Sequence, residues 1–126
     1  MLEFTAHTVK RIAVRVSMNY HADIEHRAAA AARIMSEMAP VRAAYVFGSY
    51  AEGRSHRWSD VDVAFFLTGL EDLDIRQRAR ALVRIQKEAG MDIEAHLFPA
   101  KSLDNPEPAS FVAHILATGV PVYPNR

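Results

Sequence analysis

The sequence contains no cysteine, and neither sign of charge is in excess, since 15 basic residues balance 15 acidic ones. The absence of cysteine excludes disulfide bonds, thiol catalysis and cysteine-ligated zinc. A net charge of zero provides no overall field to attract a polyanion, so we do not expect a nucleic-acid partner. The sequence also lacks an apolar run of about 20 residues and the apolar core of a secretory signal. We therefore predict a cytoplasmic protein without a membrane segment.

The 126 residues match the length of a single domain. Apolar, β-prone segments predict strands over 43–47, 60–67, 91–98 and 120–123. Helical spacing of apolar residues predicts helices over 23–38, 73–89 and about 105–119. In the second helix we expect a buried stripe made of Ile75, Ala79, Leu82, Ile85 and Ala89. This alternation of strands and helices predicts an α/β domain.

Residues 1–22 form an N-terminal segment that precedes the rest of the domain, residues 23–126. Apolar residues between Arg11 and Met18 alternate as in a strand, although their spacing also satisfies a helix. We expect a strand. It would pair at a sheet edge, either within the monomer or across a homo-oligomer.

The most informative segment joins the first two predicted strands. Gly48 and Ser49 follow the first strand, and ten residues separate them from the tripeptide Asp60-Val61-Asp62. Glycine lets the backbone approach a phosphate closely. The serine hydroxyl can cap a following helical turn, whose free N–H groups would then point at an anion. We predict a phosphate-binding turn at Gly48 and Ser49.

Asp60 and Asp62 are expected to project from the same face of the second strand, because side chains alternate along a strand. Their Cα atoms would lie about 6.5–7 Å apart, which allows both carboxylates to bind Mg²⁺. Without a cation, two charges about 6 Å apart repel by roughly 3 kcal/mol at an effective dielectric constant near 20. The pair therefore predicts a metal site.

A third acid is expected on the strand over 91–98. Alternation places Asp92, Glu94 and His96 on one face of this strand, opposite Met91 and Ile93. Either acid could complete a metal site, as a ligand or as the base that accepts a proton. A histidine here is more typical of an ordinary surface or core position than of a catalytic group.

The Gly-Ser pair, the ten-residue spacer and the Asp-x-Asp tripeptide together resemble the motif of minimal nucleotidyltransferases of the DNA polymerase β superfamily. The resemblance implies a nucleotidyltransferase fold, with a small mixed sheet flanked by helices, in a single domain whose catalytic core is residues 23–126. It also implies two Mg²⁺ ions, held by Asp60, Asp62 and a third carboxylate. Family members often carry an acid near the start of the third strand, which favours Asp92 as the third carboxylate. Glu94 remains the alternative.

Such proteins transfer a nucleoside monophosphate from an NTP, so the resemblance places Arg54 and Arg57 of the motif loop near a triphosphate. Arginine can bind phosphate oxygens with two N–H groups. We expect ATP as the substrate and a hydroxyl group as the acceptor of AMP. Small members of the family resemble the antitoxins of toxin–antitoxin modules, whose partner is a small all-helical toxin with an acceptor tyrosine. The alternative is a binding protein that holds a nucleotide or neutralises a toxin without catalysis.

Overall fold

The structure, a computed structural model, describes residues 22–55 and 59–124. The strand predicted between Arg11 and Met18 lies outside the described residues. The described elements are helix α1 (22–36), strands β1 (Val41–Phe47) and β2 (Val61–Leu67), helix α2 (Ile75–Glu88), strand β3 (Ile93–Pro99), helix α3 (Phe111–Thr118) and strand β4 (Val120–Tyr123). Single 3-10 turns follow β2 and β3, at Leu70–Asp72 and Ala100–Leu103. None of the helices in this part of the chain is long and apolar enough to cross a membrane.

The four strands form one mixed sheet in the order β3-β2-β1-β4. β1 pairs antiparallel with both β2 and β4, whereas β2 and β3 run parallel because α2 carries the chain back to the edge where β2 begins. This arrangement confirms the predicted fold class, a small mixed sheet flanked by helices. It also brings the end of β1 and the beginnings of β2 and β3 to the same edge of the sheet.

Strand alternation divides the buried residues between the two faces of the sheet. One face packs Val46, Val63 and Phe65 against α1 and α2 in the larger apolar cluster, and we call it the α1/α2 face. The other face packs Phe47 and Phe66 against Ile115 of α3 in a smaller cluster, and we call it the α3 face. Burial of apolar area on both faces fixes the register of the central strands β1 and β2.

The starts of α2 and α3 differ from the sequence prediction. α2 begins at Ile75 because Asp74 and Gln77 form a reciprocal capping box, and the side chain of Ile75 is 86% exposed. The prediction that Ile75 and Ala79 belong to the buried stripe is therefore wrong, since both are exposed. α3 begins at Phe111 rather than near residue 105, because the Ser110 hydroxyl accepts the Ala113 N–H and caps the helix there.

Candidate active site

The Gly-Ser turn begins directly after β1 and lies against the second aspartate of the motif. Gly48 has a φ of 76°, a left-handed conformation that side chains other than glycine rarely adopt. A Cβ atom at Gly48 would lie 2.8 Å from Oδ2 of Asp62, closer than carbon and oxygen atoms pack. Both the backbone conformation and the neighbouring carboxylate therefore require glycine at this position.

Backbone hydrogen bonds fold the motif loop into a tight turn. The Glu52 N–H donates to the Gly48 carbonyl (3.0 Å), and the Arg54 N–H donates to the Ser49 carbonyl (2.7 Å). The Tyr50 hydroxyl donates to Glu25 of α1 at 3.1 Å and so anchors the loop to the α1/α2 face. Ser49 is thereby held at the edge of the sheet beside Gly48, and phosphate binding by this turn stays a prediction.

Three side chains with metal-binding atoms meet where β2 and β3 begin. Within residues 22–55 and 59–124, the one such group comprises Asp62, Glu94 and His96, whose donor atoms all lie within 4.8 Å of one another. Asp62 and Glu94 are direct partners in the parallel register of β2 and β3. The His96 Nε2 atom lies 3.1 Å from Oδ1 of Asp62 and 3.9 Å from Oε1 of Glu94. All three side chains project from the α3 face, at the same edge as Gly48.

Aromatic packing holds the His96 ring beside the two carboxylates. The ring meets Phe47 edge to face, with centroids 5.0 Å apart, and Phe47 in turn meets Phe111 at 5.4 Å. The sequence pattern places His96 on the same face as Glu94 but gives no sign that both lie against Asp62. That contact depends on the pairing of β2 with β3, which alternation within one strand does not reveal.

Asp60 and Arg54, both predicted site residues, lie outside this group. Asp60 is exposed and immediately precedes β2. The Arg54 guanidinium binds Glu52 at 2.5 Å, and this hydrogen bond lowers the pKa of the Glu52 carboxyl. Glu52 also lies 3.4 Å from Nε2 of His114, which links the motif loop to α3. Arg57, the other predicted phosphate ligand, lies outside the described residues.

Asp92 points away from the acidic group and towards α1. Its carboxylate accepts two hydrogen bonds from the Arg27 guanidinium, at 2.6 and 3.0 Å, and the Ala89 carbonyl accepts a third at 3.4 Å. The prediction that Asp92 shares a face with Glu94 is wrong, because Met91 and Asp92 form a turn and β3 begins only at Ile93. Hydrogen bonding to Arg27 lowers the pKa of the Asp92 carboxyl.

The sheet topology and the motif at its edge define an α+β domain of the nucleotidyltransferase class, and comparison with known proteins agrees. Residues 30–125 match the family model described as "Polymerase beta, Nucleotidyltransferase", and the chain belongs to this family. It is also similar to a Sulfolobus solfataricus protein whose crystal structure at 1.40 Å carries the provisional description of a nucleotidyltransferase. That similarity covers 67% of this chain and 78% of the other, with 20% identity and a TM-score of 0.44. No curated protein matches the chain at a significant level.

Proposed function

We propose that the protein is a metal-dependent nucleotidyltransferase that transfers AMP from ATP to a hydroxyl acceptor. The observation that carries this proposal is the meeting of Asp62, Glu94 and His96 beside the Gly48 turn. Oxygen and nitrogen donors at this spacing fit a divalent cation, and a glycine turn beside them fits the phosphates that such a cation accompanies. The family match to residues 30–125 supports the same chemistry.

In the proposed site, Asp60 and Asp62 hold the divalent cations together with Glu94. We assign the third carboxylate to Glu94 in preference to Asp92, because Glu94 is paired with Asp62 across the strands and Asp92 is occupied by Arg27. Divalent ions would neutralise the triphosphate and make an acceptor hydroxyl more acidic.

The remaining residues bind and orient the substrates. Gly48 and Ser49 hold the triphosphate through backbone N–H groups and the serine hydroxyl. The acceptor oxygen then forms a bond to the α-phosphorus, the bond from that phosphorus to the bridging oxygen breaks, and pyrophosphate leaves with the electron pair. The acceptor proton passes to Glu94. Positioning of the two reactants supplies much of the rate acceleration, so no covalent intermediate with the protein is required.

For the acceptor we propose a tyrosine of a small all-helical partner, as in toxin–antitoxin modules, whose antitoxins this sequence resembles. The alternative is a binding protein that neutralises its partner without transferring a nucleotide. The grouped acids favour the enzyme, because like charges held together destabilise a fold unless a cation binds between them.

The decisive experiment mixes the protein with ATP labelled at the α-phosphate, a divalent cation and the product of the neighbouring gene. We expect covalent label on the second protein, with release of pyrophosphate and no label when Asp62→Asn replaces the wild type. A stable complex of the two proteins without label would support the binding protein instead. Repeating the reaction with labelled GTP tests the preference for adenine.

A further inference from the structure

We propose that His96 is a metal ligand, and that it makes this site select a first-row transition-metal ion such as Mn²⁺ over Mg²⁺. The inference deepens the proposed function, on which it rests, by assigning the ion. The His96 Nε2 atom lies 3.1 Å from a carboxylate oxygen of Asp62 and 3.9 Å from one of Glu94.

These distances suit donors that share one ion. Two donors that each bind an ion at about 2.2 Å lie no more than roughly 4.4 Å apart. The separations of Nε2 from Asp62 and from Glu94 both fall below that limit. The ring is also kept in place, because its edge-to-face contact with Phe47 restricts rotation away from the acids.

The mixture of donor atoms determines which ion is preferred. Mg²⁺ binds oxygen ligands in octahedral geometry and retains several waters, so an imidazole nitrogen adds little to its affinity. First-row transition metals bind imidazole more tightly than Mg²⁺ does, Mn²⁺ least and the later metals more so, and they bind carboxylates as well. Two carboxylates and one imidazole therefore favour a first-row transition-metal ion, of which Mn²⁺ is the one closest to Mg²⁺ in its other ligands, whereas a site of carboxylates alone would suit Mg²⁺.

A purely structural role for His96 makes a different prediction. If the ring served only to orient Asp62 by donating a hydrogen bond, its loss would weaken Mg²⁺ and Mn²⁺ binding by the same factor. If His96 is itself a ligand, its loss should weaken the binding of Mn²⁺ and leave the binding of Mg²⁺ nearly unchanged. A side-chain amide separates the two roles, because glutamine can still donate a hydrogen bond to Asp62 but offers no imidazole nitrogen.

The test titrates each ion separately into the wild type, into His96→Gln and into His26→Gln, a control at an exposed histidine of α1, by calorimetry. We expect the wild type to bind Mn²⁺ at least tenfold more tightly than Mg²⁺. His96→Gln should lose about tenfold or more in Mn²⁺ affinity while Mg²⁺ affinity changes less than about twofold. The control should match the wild type for both ions.

Pulsed electron paramagnetic resonance of the Mn²⁺-loaded protein supplies a direct signature. We expect coupling of the manganese spin to a histidine nitrogen in the wild type and in His26→Gln, and its absence in His96→Gln. Equal loss of both metals in the titration, or no nitrogen coupling in the wild type, would overturn the inference. Neither readout needs turnover, so a site that binds Mn²⁺ through His96 yet transfers no nucleotide would refute the proposed function alone.

Discussion

Arg27 and Asp92, which are 65 positions apart in the sequence, form an ion pair with two hydrogen bonds that fastens α1 to the turn before β3. The Asp92 carbonyl also accepts the Val61 N–H at 2.8 Å. One residue thus connects α1 with the beginnings of β2 and β3, where Asp62 and Glu94 lie. This position gives Asp92 a structural role that does not require contact with substrate.

Replacing Asp92 by asparagine should therefore reduce stability. The substitution removes the charge that Arg27 binds, and we expect the free energy of unfolding to fall by about 1 kcal/mol in denaturant titrations. A matched control is Asp104→Asn, since Asp104 binds Arg42 at 2.6 Å on a more exposed part of the surface. The control should lose less free energy of unfolding. An equal loss would show that the Arg27–Asp92 pair stabilises the fold no more than an exposed ion pair does.

The same pair predicts how stability depends on pH. Arg27 lowers the pKa of Asp92 in the folded protein below the ordinary value of 3.8. The stabilisation is therefore complete above pH 3.8 and is lost as the pH falls through the lowered folded pKa. The difference in unfolding free energy between the wild type and Asp92→Asn should be constant from pH 5 to 7 and shrink in more acidic solution. A difference that grows on acidification would contradict the assignment.

The third carboxylate can be identified from the ranking of two amide variants. Glu94→Gln should lower the rate of nucleotide transfer by roughly 10² or more, the scale expected when a positioned acid–base group is lost. Asp92→Asn should leave the rate within about threefold of the wild type. Single-turnover measurements with ATP give both values, and the reverse ranking would return the role to Asp92.

Two glycines of the motif loop have nearly the same backbone conformation but different surroundings. Replacing each by alanine therefore measures the effect of backbone strain apart from the effect of a steric contact. Gly48 has a φ of 76° and Gly53 a φ of 73°, but a Cβ atom at Gly53 would meet nothing within 4 Å. Alanine at either position should destabilise the protein by about 1–2 kcal/mol. Only Gly48→Ala should also displace Asp62, and we expect it to weaken metal binding about tenfold in calorimetric titrations. Equal metal affinities in the two variants would show that Asp62 moves aside without consequence.

Asp62→Asn should abolish the metal site without unfolding the protein. An amide oxygen can still accept a hydrogen bond from His96, while one negative charge beside Glu94 is removed. The melting temperature should therefore be unchanged or raised, although transfer and metal binding are lost. Calorimetric titration with Mg²⁺ and ATP measures the loss of binding directly. A metal and nucleotide affinity equal to that of the wild type would contradict the assignment of Asp62.

The central part of the fold follows closely from local sequence patterns. Apolar runs predict β1 and β2 to within two residues, and the final strand, β4, agrees at both ends. The helix starts are less well predicted, because capping by Asp74 or Ser110 depends on geometry that apolar spacing does not report. The exposed side chain of Ile75 shows the same limit, since the helical period does not say where along a stripe burial begins, and packing buries Ile85 and Ala89 but leaves Ile75 exposed.

For the candidate site, the sequence identifies residues that are close along the chain. Gly48 and Asp62 are linked by motif spacing, and the structure brings them into contact. The contact of His96 with Asp62 depends on the register between β2 and β3, and the binding of Asp92 by Arg27 depends on how α1 packs. Neither relationship leaves a local pattern, which is why alternation along one strand places Asp92, Glu94 and His96 on one face and cannot choose among them.

The parallel pairing of β2 with β3 also has a consequence for folding kinetics. β1 and β2 pair directly across the motif loop, whereas β3 reaches β2 only after the chain has passed through α2. Contacts between segments that are distant in sequence form more slowly, because closing the longer loop loses more chain entropy. We expect Gly48 and Asp62 to meet before Glu94 and His96 arrive. A metal ion would then bind only the nearly folded chain, and its main kinetic effect would be to slow unfolding rather than to speed folding.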